Sequence, residues 1–196
     1  MGKVVARRSD LNVTINDLSK DATDWATKHF EFTTLTGGAD VLAAHSKQYD
    51  VVVLSDVLYY EANLTLLRSA LSRLIAHGGS IVIRVPNKSA LIRLGELCGR
   101  LARGAEQTAM QSRIRFFNPE HIFIFRQRYL RNRLLGIGMQ RAYVLASPLL
   151  ASSRLHRLGP TLFQLAHFAN CVSGKRLVLT PSMVVVGTGR SSSIIA

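Results

Sequence analysis

Asp17 closes the stretch "NVTIND", residues 12–17, and the residues around it are those of a ligand-binding strand end. β-Branched residues favour an extended chain up to Asn16, and Ser19 is placed to cap a helix starting near Lys20. A strand that ends in an acid and turns into a helix is normally the second unit of a nucleotide-binding α/β domain. Ser55 and Asp56 close a second such run, "YDVVVLSD", and open α/β sheets bind ligands at the carboxyl ends of their strands. Asp40 follows the Gly37-Gly38 turn, and Tyr59 and Tyr60 follow closely after Asp56. The cysteines, Cys98 and Cys171, lie far apart with no metal-like spacing. They read as reduced thiols in or near the core of a cytosolic protein, with no metal site. His45 and His77 read as surface residues.

These residues need a scaffold that gathers strand ends. After the strand at 12–17, a helix is expected to about His29 with Ala22, Trp25 and Ala26 on one face. "FEFTTLT" alternates and stops at Gly37-Gly38, the pattern of a strand and a turn. "YDVVVLSD" is continuously apolar, as for a strand buried on both faces of a parallel sheet. Leu64, Leu67, Leu71, Leu74 and Ile75 follow at helical spacing, with Gly78-Gly79 as the stop. "SIVIRVPN" reads as a buried strand, "SALIRLGELCGRLAR" as a helix, and 104–111 as a polar connector. "PEHIFIFRQRYLRNRLLGIG" gives an extended piece, a basic helix and a glycine stop. "MQRAYVLAS" and "LTPSMVVVGTG" are strands that flank a helix-like insertion at about 154–172.

Strand and helix alternate throughout, which predicts an α/β fold with a doubly wound, mostly parallel sheet. The last two strands lack an ordinary crossover helix, so an antiparallel last strand is expected. One domain over 1–190, with an insertion at about 150–175 and a polar tail at 191–196, accommodates all of this.

The net charge is +13, and it is unevenly spread. Acids and bases nearly balance up to Tyr60. From Arg68 onward arginine dominates and acids become sparse. Such a half suits RNA, an anionic membrane surface or a phosphorylated substrate, or it is simply a solvated arginine-rich surface. No nucleic-acid motif accompanies it. No apolar run reaches the roughly 18 residues of a membrane span. The N-terminus has no signal-peptide stretch, and Ala6 stands where a myristoylation signal needs Ser or Thr. A cytoplasmic chain, at most peripheral to a membrane, is the expectation.

"VTINDLSKDATDWA", "LTGGADVL", "YDVVVLSDVLYY", "LSRLIAHGGSIVIRVPN" and "EHIFIFRQRYLRNRLLGIGM" occur in an order that resembles class I S-adenosylmethionine-dependent methyltransferases. The nearest likeness is to the group similar to ubiquinone-biosynthesis O-methyltransferases, and it spans nearly the whole chain. The resemblance implies a Rossmann-like fold with S-adenosylmethionine as cofactor. Asp17 would accept hydrogen bonds from both ribose hydroxyls, and Leu18 would pack on the adenine; the alternative is that Asp17 only caps the next helix. Asp40 would accept from the adenine amino group with Val41 beside the ring, or is a plain turn aspartate. Backbone groups of Ser55 and Asp56 would face the methionine part. Tyr59 and Tyr60 replace the usual Glu-His pair, and either lines an acceptor pocket or packs. His121 matches a histidine near the acceptor, where an imidazole can take a hydroxyl proton; a structural loop histidine is the alternative.

The family's first strand and its Asp-X-Gly-X-Gly-X-Gly loop have no counterpart upstream of Asn12. "MGKVVARRSDLNV" instead resembles the tail of the first helix running into the second strand. The expectation is therefore a fold lacking its first strand and glycine-rich loop, with poor cofactor binding. The acceptor would be a small or lipid-like molecule, methylated on oxygen or nitrogen. The insertion would be a lid over such an acceptor, an interfacial helix on anionic lipid, or a helix on the sheet edge. A non-catalytic binding module is the competing reading. An RNA methyltransferase is a third, weakened because "SDVLYY" stands where base methylators carry an Asn/Asp-Pro-Pro-Tyr type motif.

Overall fold

The computed structural model describes residues 10–30, 32–87, 122–147, 159–174 and 178–190. The helix expected from "SALIRLGELCGRLAR", the connector at 104–111, Cys98 and His121 lie outside them. The chain forms two compact units, one from Met1–Lys47 with Asn63–Leu74, the other from Gln48–Ala62 with Ile75–Ala196.

The first unit holds β1 (Thr14–Asp17), α1 (Lys20–Phe30), β2 (Thr33–Thr36), α2 (Ala39–Ala44) and α3 (Leu64–Leu74). β1 and β2 pair in parallel, with Asp17 opposite Thr36. Ser19 starts α1 as expected: its hydroxyl accepts from Ala22 N–H at 3.3 Å and its carbonyl from Thr23 N–H at 3.1 Å. The buried face of α1 differs from the Ala22–Trp25–Ala26 reading. Thr23 and Ala26 are buried, while Trp25 is exposed and stacks on His29. The cause is polar, because the Thr23 and Thr36 hydroxyls bond each other at 2.7 Å and those of Thr27 and Thr34 at 3.0 Å. These pairs rotate the helix so that threonines, not the indole, meet the sheet. α3 buries Leu67, Ala70, Leu71 and Leu74 and packs with α2.

The second unit holds β3 (Tyr49–Ser55), a 3-10 turn (Leu58–Tyr60), β4 (Ile75–Pro86), α4 (Gln127–Leu135), β5 (Met139–Ala146), α5 (Gly159–Val172) and β6 (Ser182–Arg190). Its sheet runs β3-β4-β6-β5. β3 and β4 are parallel, and β6 is antiparallel to both β4 and β5, as expected of the last strand. Ile81, Val85, Met183 and Val185 are fully buried and carry the centre of this core. Each such side chain contributes about 1.5–3 kcal/mol over an exposed one. β4 begins at Ile75, so α3 stops at Leu74 and Gly78-Gly79 lie within a strand. Ile75 pairs with Tyr49 instead of extending the helix.

β3 departs from the reading of a strand buried on both faces. Val51 and Val53 are exposed, and only Leu54 is fully buried. Among the described residues β3 pairs with β4 alone, so it stands at the edge of its sheet. Cys171 is an exposed thiol on α5, not a core one. It follows the buried Asn170 directly and lies to one side of the buried face of α5.

Candidate functional site

At the carboxyl end of β1 the chain has to leave the strand and enter α1 while keeping Asp17 in place. Asn16 does much of this work: its side-chain amide donates to the carbonyls of Leu35 at 3.1 Å and Gly37 at 2.9 Å. Gly37 N–H in turn donates to Asp17 O at 2.9 Å. The ends of β1 and β2 are thereby tied together. Gly37 adopts a φ of +142°, and a Cβ there would lie 2.3 Å from Val41 Cγ2. Only glycine allows both that backbone and that contact. Val41 is thus held over the strand end, with Asp40 beside it in the first turn of α2.

Asp17 itself is exposed. Its Oδ1 accepts the Ser19 N–H at 2.8 Å, which fixes the rotamer, and Oδ2 has no protein donor among the described residues. An ionised carboxylate has about four lone-pair sites. One is used, and the others face outward beside Leu18, which is 74% exposed. An apolar side chain in water next to an oriented carboxylate suits a ligand with a hydroxylated ring and an apolar ring. Asp17 and Leu18 thus stand at the end of β1 that is tied to Gly37, and Asp40 and Val41 follow that glycine in α2.

The second unit carries the other candidates. Ser55 ends β3 exposed, opposite Arg84 in the register. Asp56 leaves the strand with a φ of +58°, a left-handed conformation that aspartate tolerates better than most residues. Its N–H donates to Arg84 O at 3.1 Å, and its carboxylate Oδ2 accepts from Arg84 Nη1. The N–H and the carboxylate of Asp56 are thus both engaged, and Ser55 beside it is exposed.

Of the two tyrosines, Tyr59 is buried and Tyr60 is 42% exposed, with ring centroids 4.5 Å apart. Burial, then the Asp56 carboxylate, pushes the Tyr59 hydroxyl well above the ordinary tyrosine value. Tyr59 is therefore a neutral packing group, and Tyr60 is the one presented outward. Ile122, the residue after His121, donates its N–H to Tyr59 O at 2.9 Å.

Asn16, Arg84 and Asn87 escaped the sequence reading. Asn87 is buried and donates to the carbonyls of Val178 and Thr180, which ties the end of β4 to the entry of β6. A polar residue just inside or just beyond an apolar run was the only available signal for any of the three.

A family profile described as "Methyltransferase domain" matches residues 4–141. No curated protein matches the sequence. Among solved structures, a SAM-dependent methyltransferase from Archaeoglobus fulgidus superposes with a TM-score of 0.59 at 15% identity, over 95% of this chain and 80% of that one. A SAM-dependent methyltransferase from Thermotoga maritima gives 0.57 at 12% identity, over 90% and 72%. The plantazolicin methyltransferase BamL, solved with a triazolic desmethylPZN analogue and SAH, gives 0.53 at 14% identity, over 96% and 72%. At these identities the likeness is one of fold.

Proposed function

The chain belongs to the methyltransferase-domain family, and from that premise we propose that it serves S-adenosylmethionine-dependent methyl transfer to an oxygen or nitrogen of a small or lipid-like acceptor. The observation that supports this best is the Asp17 carboxylate, oriented by Ser19 N–H and turned outward beside exposed Leu18. A ribose diol would take Oδ2 and the remaining lone pair of Oδ1, and adenine would lie on Leu18 and Val41 with Asp40 at its rim. S-adenosylmethionine supplies an electrophilic methyl group on a sulfonium.

The part of the protein in the reaction is positioning, which can contribute several kcal/mol to lowering a barrier. Tyr60 is exposed where it can meet an acceptor, and His121 is the candidate base for its hydroxyl proton.

NMR titration of residues 1–196 with S-adenosylhomocysteine tests the site. The amides of Leu18, Ser19, Gly37 and Val41 should shift, and silence at those amides would sink the assignment of Asp17.

A further inference from the structure

α5 is amphipathic the wrong way round for a helix on a soluble surface. Its inward positions are Ala166 and the fully buried Asn170. Its outward positions include Leu165, Phe168 and Val172, exposed by 63%, 67% and 71%. Their spacing of three and four residues puts them on one row of the helix. The segment "GPTLFQLAHFANCV" contains no Asp, Glu, Lys or Arg, so nothing charged interrupts that row.

A second feature lies in the same unit. No Asp or Glu occurs anywhere after Glu120, while arginine recurs. α4 packs on β5, the strand that α5 also contacts. Its inward side is Leu130 and Leu134, and its outward side carries exposed Arg128, Arg131 and Arg133. Arg133 lies over the Tyr129 ring at 5.0 Å. Among the described residues these three arginines form no ion pair. An apolar row and an uncompensated cationic helix together call for an occupant that is apolar inside and anionic at its surface.

We propose that this unit docks on an anionic lipid surface, with Leu165, Phe168 and Val172 entering the interface and the α4 arginines meeting headgroup phosphates. Helices of this kind lie in the plane of the bilayer, with their apolar side sunk among the upper acyl chains. Among the described residues no helix is long and apolar enough to cross a membrane.

Vesicle flotation with residues 1–196 is the test. The chain should float with phosphatidylcholine vesicles containing phosphatidylglycerol, stay behind with pure phosphatidylcholine, and be released by salt. Leu165→Ser and Phe168→Ser should each weaken binding about tenfold. Arg128→Gln, Arg131→Gln and Arg133→Gln should each weaken it about fivefold on anionic vesicles. Both sets lie on exposed positions, and thermal melting checks that they fold. An independent reading comes from Phe168→Trp in a Trp25→Phe background, whose emission should shift to the blue on anionic vesicles. Failure to float on anionic vesicles overturns the proposal, as does flotation unaffected by the Leu165 and Phe168 changes. Retention of single-stranded RNA in place of vesicles would assign the arginine face to nucleic acid and also overturn it.

Discussion

Asp17 ends β1 with its carboxylate turned to solvent and one oxygen on the Ser19 amide, whereas Asp56 ends β3 with its carboxylate on Arg84. In sequence the two look alike: a β-branched run, an acid, then a turn. The neighbouring strand separates them. Asp17 lies opposite Thr36, which offers no cation, while Ser55 lies opposite Arg84, whose side chain reaches the next residue. A strand-end carboxylate becomes a ligand group or a structural one according to which residue the register sets beside it. The first has only the Ser19 N–H on it among the described residues, and the second holds a left-handed turn.

Three experiments would break or sharpen that contrast. The largest effect is expected at Gly37, whose backbone shape keeps the Asp17 end in position. Gly37→Ala should cost about 2–3 kcal/mol in urea unfolding, from a left-handed φ and an overpacked neighbour. Adding Val41→Ala should recover the steric share only. An unchanged midpoint would mean that the strand end does not depend on this turn.

Next comes the exchange of roles between the two acids. Asp17→Asn should weaken S-adenosylhomocysteine binding about tenfold or more, the scale of hydrogen bonds to a charged group, and barely move the melting temperature. Asp56→Asn should do the reverse, lowering stability by about 1 kcal/mol because its ion pair is only partly shielded, with affinity little changed. The opposite pattern would erase the distinction.

The smallest effect concerns Tyr59 and Tyr60. The Tyr59 hydroxyl is raised above its ordinary 10.0, first by burial and then by Asp56. The stability that its neutral form contributes is complete below the unfolded value and is lost as pH climbs past 10.0. Unfolding midpoints should therefore fall above that pH in the parent and in Tyr60→Phe, and fall less in Tyr59→Phe.

Much of this was legible in the sequence for a local reason. β-Branched runs, the Ser19 cap and the stops at Gly37 and Gly136 act within a few residues, and they gave the order of strands and helices, including the antiparallel last strand, whereas Gly78-Gly79 lie within β4. Asp17, Leu18, Asp40 and Val41 stood out because each pair directly follows a strand or a glycine turn in the chain. What escaped depends on distant partners. The link between Asp56 and Arg84, the Asn87 clasp and the buried face of α1 each follow from pairings that no short window contains. β3 was misjudged because a run of valines looks the same at the edge of a sheet as in its centre. Cys171 and the outward row of α5 were obscured because an apolar helix is ordinarily assumed to face inward.

The position of β6 has a consequence for how the protein is made. This strand follows all its sheet partners in sequence, yet it lies between β4 and β5, and Arg190 at its end donates to Ile75 O at the start of β4. While the chain is leaving the ribosome, β4 and β5 must each wait with an unpaired apolar edge until residues 182–190 emerge. Half-made sheets of this kind are prone to stick to one another. Synthesis halted just before β6 should give an aggregating product, and completing those last strand residues should be the step that makes the unit soluble.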